Sequence, residues 1–122
     1  MVKPIMHNTL RRLKDKEGVD QCYLVSRRGK VLVGFGEINK TLEDTFGTLT
    51  ATIYGASLQT NKILKEKFPR RILVEDIEGF MTIRHVDDHF FIVVKYKKDT
   101  DAQAVEKELE TACWTLAQEL AD

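Results

Sequence analysis

The chain has 122 residues, 43% of them hydrophobic, with 19 basic and 19 acidic side chains and a formal net charge of zero. That length suits a single domain over 1–122, large enough to bury a core without disulfide staples. Balanced charge removes any global attraction to nucleic acid or an anionic membrane, though a local basic patch stays possible, and no window is apolar enough for a membrane span, so no nucleic-acid partner and no membrane span are expected.

Pro4 suits a first helical turn, and Met6, Leu10 and Leu13 follow as a short apolar stripe that ends at Glu17-Gly18. The start, Met-Val-Lys-Pro-Ile-Met-His-Asn, lacks the apolar run of a signal peptide. Val19 to Val25 is rich in β-branched and aromatic residues, Ser26-Arg27-Arg28-Gly29 supplies a turn, and Val31, Val33 and Phe35 alternate beyond it, which predicts a hairpin. Leu24 and Leu32 are expected on one face, with Tyr23, Val25, Val31 and Val33 on the other, so both faces of the sheet need cover.

After the link Gly36 to Lys40, Thr41 is the expected cap of a long helix, with Glu43 and Asp44 suited to its positive end. Leu42, Phe46, Leu49, Ile53, Ala56 and Ile63 recur every three or four residues, and this bulky side is expected to lie on the sheet. Gly47, Ala51, Gly55 and Leu58 fall on roughly the opposite side, where the small residues would let a second helix approach. The helix is expected to stop near Phe68-Pro69.

Three strands follow, at Ile72-Leu73-Val74, Gly79 to Ile83 and Phe90 to Val94, with turns at Glu78-Gly79 and Asp87-Asp88. The last is the most apolar and is expected at the centre. A final helix carries Val105, Leu109, Ala112, Leu116 and Leu120 on one side, with a Thr100/Gln103 capping box at its start. The fold class expected is α/β, a three-layer sandwich with a five-stranded antiparallel sheet in the order α-β-β-α-β-β-β-α and the long second helix alone on one face. An edge strand as apolar as Ile72-Leu73-Val74 invites pairing, and a twofold partner would close it, so Gly47, Ala51, Gly55 and Leu58 together with Ile72, Leu73 and Val74 form the expected homodimer interface.

The segments Leu10-Arg11-Arg12-Leu13, Glu17-Gly18-Val19, Leu24 to Leu32 and Gly79-Phe80-Met81-Thr82-Ile83 resemble the roadblock/dynein light-chain family, especially its prokaryotic members, over about Leu10 to Leu120. These are fold signatures, not catalytic ones. The chain departs from the family at Arg28, where an acidic residue often precedes the turn glycine. The resemblance implies a profilin-like sandwich that dimerises through its third strands and second helices. It also implies a scaffold or regulator of small Ras-like GTPases, or a light-chain subunit. The full final helix resembles the stand-alone prokaryotic regulators more than the shorter motor light chains.

No reaction centre is evident, and the protein is not expected to be an enzyme or to carry a cofactor. His85 and His89 flank Val86-Asp87-Asp88, a spacing compatible with a metal, but a polar hairpin tip is the ordinary reading, and no metal site is assigned. Gly34-Phe35-Gly36 lacks the third glycine and the GKS or GKT ending of a phosphate cradle. Cys22 and Cys113 lack CxxC spacing and read as reduced core thiols, in keeping with a cytoplasmic setting. Basic residues cluster at Arg11-Arg12, Arg27-Arg28 with Lys30, Lys65 with Lys67, Arg70-Arg71, and Lys95 with Lys97-Lys98. Arg27 and Arg28 are candidate partner contacts. Trp114, off the last helix's apolar stripe, is either an exposed interface anchor or covered by the first helix or the amino-terminal segment. A homodimeric GTPase regulator is the leading functional expectation, a passive scaffold the second and a small-molecule sensor the third.

Overall fold

The computed structural model describes residues 2–65 and 69–121. Phe68 and Lys67, named above for the helix stop and a basic cluster, lie outside the described residues. The elements run α1 (Pro4–Lys14), β1 (Val19–Ser26), β2 (Val31–Phe35), α2 (Lys40–Ile63), β3 (Arg71–Glu75), β4 (Gly79–His85), β5 (Phe90–Lys97) and α3 (Ala102–Glu119). All neighbouring strands are antiparallel, in the order β2-β1-β5-β4-β3. The expected three-layer sandwich is the architecture found.

β5 lies at the centre, and Phe91, Ile92, Val93 and Val94 are all buried. A strand covered on both faces needs no polar alternation, which is why this segment is uniformly apolar. On one face Met6, Leu10 and Leu13 of α1 and Val105, Leu109, Ala112 and Leu116 of α3 pack with Cys22, Leu24, Ile92 and Val94. On the other, Tyr54 of α2 packs with Tyr23, Val25, Ile83, Phe91 and Val93.

Three local expectations are corrected. Val33 joins Leu24 on the α1/α3 face, because β2 bulges: Leu24 pairs with Val33 but Val25 pairs with Val31, so Leu32 has no partner of its own and the alternation slips by one. Asn39, not Thr41, caps α2, accepting a hydrogen bond from the Leu42 amide at 3.0 Å. Asp101 caps α3 by accepting from the Ala104 amide, in place of the Thr100/Gln103 box. Each true cap is an Asx side chain, short enough to reach a backbone amide three residues ahead.

The hairpin turn and α2 meet backbone to backbone. Gly29 has φ +94°, a region that favours glycine, and its carbonyl oxygen lies where a Cβ on Gly47 would have to sit. The sequence thus uses two glycines to seat the helix against the turn.

Candidate functional site

Of the bulky stripe expected on the sheet, Phe46 does pack there, its ring 4.8 Å from that of Tyr23, but the rest of the helix turns its smaller side inward. Gly47, Thr50 and Tyr54 are its buried residues, and Ala51 packs beside them. Leu49 is 58% exposed, and Leu42 and Ile53 are exposed with it. The assignment of Gly47 and Ala51 to an outer, helix-pairing stripe is therefore corrected: they lie against the chain's own sheet and turn. Gly55 has nothing within 4 Å of a Cβ built on it, and Leu58 is half-buried. The reason is Tyr54. Its ring stacks on Phe91 with centroids 5.4 Å apart and planes 7° from parallel, and its hydroxyl hydrogen-bonds His85 Nδ1. Tyr54 anchors this side of the helix in the core, while Gly47 lets the helix close on the Gly29 backbone.

The outer face of α2 is consequently apolar and open, and the β3 edge is open as well. Among the described residues β3 is hydrogen-bonded only to β4. Ile72 packs into the α2-side core, while Leu73 and Val74 are 45% and 44% exposed. Val74 pairs with Met81, which packs in the α2-side core, so it shares that face; Leu73 pairs with buried Thr82 on the α3 side. Single exposed apolar residues are ordinary on a protein surface, but Leu42, Leu49, Ile53, Leu73 and Val74 concentrate on one helix face and one strand edge.

A second feature lies on the α3 side. Trp114 is 66% exposed, so α1 does not cover it. It walls a groove of about 650 Å³ between α3 and the end of β4, floored by Val86, Cys113 and Ala117, with Arg70 and Arg84 at the rim. Arg84 is held in place by Glu106 at 3.1 Å and Glu110 at 3.4 Å. The β3–β4 turn carries Ile77, 87% exposed, and the sequence reading overlooked it. A lone apolar residue between Asp76 and Glu78 at a turn tip was the available signal.

Several of the basic residues are engaged within the chain. Arg27 lies 4.8 Å over the Tyr54 ring and is engaged within its own chain, whereas Arg28 is exposed. Arg11 covers Phe35, Arg71 pairs with Glu106 at 3.4 Å, and Lys95 and Lys97 pair with Asp76 and Asp20. The 85–89 tip is a polar turn in which Asp87 accepts from the His89 and Phe90 amides. Among the described residues no group of three or more His, Cys, Asp or Glu side chains is placed to hold a metal. His85 is half-buried; burial lowers its pKa, offset by Asp87 and Asp88. Burial pushes both thiols up to about 12, so neither is a ready nucleophile at neutral pH. No described helix is long and apolar enough to cross a membrane.

The Roadblock/LC7 domain family matches residues 6–96. Among solved structures, Myxococcus xanthus MglB is similar at a TM-score of 0.91 and 17% identity, with 98% of each chain covered. The gliding protein mglB of Thermus thermophilus gives 0.85 at 19% identity, covering 99% of this chain and 96% of that one. A Roadblock/LC7 domain from Streptomyces avermitilis gives 0.83 at 14% identity, covering 98% of both. Comparison with curated proteins gives no match.

Proposed function

This chain belongs to the Roadblock/LC7 domain family, and from that premise we propose that it works as a cytoplasmic homodimer that binds a small Ras-like GTPase and biases its nucleotide cycle. The observation that carries the dimer is the open apolar surface formed by the outer face of α2 and the unpaired β3 edge. An apolar strand edge is a template for pairing, and a twofold copy satisfies it while burying Leu49 and Ile53 at the same time. Similarity to MglB structures, one of them described as having a tetrameric arrangement, agrees with a role in assembly.

In this reading the protein is not itself an enzyme. It changes GTP turnover by binding one state of the GTPase's switch loops more tightly than the other, and differential affinity is all that a population shift requires. Arg28, exposed on the β1–β2 turn, is available to such a partner, whereas Arg27 is occupied with Tyr54.

Two measurements test the proposal. Leu49→Asp with Ile53→Asp places charges in the joint and should convert the dimer to a soluble monomer by sedimentation; a variant that stays dimeric removes the α2 face from the interface. Mixing the dimer with Ras-like GTPases from the same genome should give a complex in one nucleotide state and altered GTP turnover. Binding with unaltered turnover would leave a passive scaffold, and binding in neither state would end the GTPase reading.

A further inference from the structure

The groove beside Trp114 and the protruding Ile77 lie at opposite ends of β3. We propose that they are two halves of one contact: in the dimer, Ile77 of each subunit seats at the mouth of the other subunit's Trp114 groove, in a strand register set by Arg71 and Glu75. This inference rests on the dimer reading above.

Strand chemistry selects the register. A twofold axis perpendicular to the sheet keeps like faces together, so the two β3 strands can be centred on a residue but not between residues. Centred on Leu73, Arg71 of one copy faces Glu75 of the other, twice by symmetry, and Ile72 faces Val74. Centred on Ile72, Arg70 faces Val74; centred on Val74, Leu73 faces Glu75 and Ile72 faces Asp76. Only the first arrangement pairs opposite charges and matches apolar with apolar, and a shift of the pairing loses all of these contacts together. Arg71 remains half exposed beyond its ion pair with Glu106, and a guanidinium has donors enough for both carboxylates.

This register places Ile77 of one copy opposite Pro69 of the other. The β3–β4 ladder, continued through the His85 amide bonded to the Arg70 carbonyl, puts Val86 next to Pro69 on the far side. The turn tip therefore lies two strand spacings, about 10 Å, from Val86 at the groove floor. Ile77 sits at the turn tip just beyond β3, 87% exposed, at the end of a strand whose Leu73 lies on the α3 side where the groove opens, and Trp114 projects from α3 over that groove. The turn is already shaped for insertion: Asp76 Oδ1 accepts from the Glu78 and Gly79 amides at 2.8 and 2.9 Å, and Asp76 pairs with Lys95. Those bonds fix the shape of the turn that carries the exposed Ile77, which lowers the ordering entropy that opposes its docking.

Trp114 is the chain's one tryptophan, so its fluorescence reports on the groove directly. In the full-length dimer, acrylamide should quench it severalfold less than in an Ile77→Ser variant that is still dimeric, and dilution to monomer should expose it equally. Arg71→Glu should weaken dimerisation at least about tenfold, and adding Glu75→Arg to it should restore most of that loss. A wild-type dimer whose Trp114 is freely quenched, or is no better shielded than in the Ile77→Ser dimer, overturns the contact and leaves the dimer standing. Failure of the charge exchange to rescue overturns the register. A wild-type chain that stays monomeric at micromolar concentration overturns the dimer reading itself, and this inference with it.

Discussion

Gly47 and Gly55 lie two turns apart on α2, and the same substitution should affect them in opposite directions. Replacing a mid-helix glycine with alanine gains about 1 kcal/mol of helix propensity at either site. At Gly55 nothing lies within 4 Å of the added methyl, so the gain stands. At Gly47 the methyl collides with the Gly29 carbonyl oxygen, a backbone atom that cannot rotate away. Relieving that clash means lifting α2 off the turn and disturbing the Tyr54 stack, an overpacking cost of about 2–3 kcal/mol. The net expectation is a loss of about 1–2 kcal/mol for Gly47→Ala. For a chain of this size each kcal/mol shifts Tm by about 4 °C, so the two variants should melt on opposite sides of the wild type, separated by about 10 °C. Circular-dichroism melts at one fixed protein concentration measure this, since dimerisation makes Tm depend on concentration. Equal melting of the two variants would refute the seating of α2 on the sheet by its small side.

Two further outcomes concern titration. His85 has a pKa lowered by burial beside Tyr54, so its contribution to stability is complete above the ordinary value of about 6.5 and is lost as pH falls below it toward the folded value; denaturant unfolding should weaken on acidification through that range, and His85→Gln should remove this part of the dependence. For the thiols the sign is reversed: their pKa values are raised to about 12 by burial, so their contribution is whole below the ordinary value of about 9 and is lost as pH climbs toward 12. Cys22 and Cys113 should accordingly resist a thiol reagent at pH 8 in the native protein and react promptly in urea, and fast labelling of the native state would contradict their burial.

Most of the fold was legible because strand signals are local. The uniformly apolar Phe90–Val94 run marked the centre of the sheet, and the turns at Glu78-Gly79 and Asp87-Asp88 pointed to the meander that makes β3 an edge. The faces of α2 were not legible from hydropathy, because both sides of this helix are non-polar and periodicity does not tell an intramolecular neighbour from a partner. Bulk at Leu42, Leu49 and Ile53 looked like core, yet the deciding features were Tyr54, buried against Phe91 and His85, and Gly47, which admits the Gly29 backbone. The hydrogen bond from Tyr54 to His85 joins positions 31 residues apart, a pairing with no local signature. The misplaced Val33 has a comparable cause, since the β2 bulge depends on how two strands settle together.

The bulge in β2 also limits stoichiometry. The sheet has two outer borders of equal length, and among the described residues only β3 offers a regular one; the border formed by β2 is broken at Leu32 and flanked by Arg28 and Lys30. Irregular, charged borders do not template a further strand. Growth by lateral addition is therefore open at one end of the ribbon and blocked at the other, so a chain that joins a copy of itself through β3 terminates at a ten-stranded unit instead of propagating into a fibre.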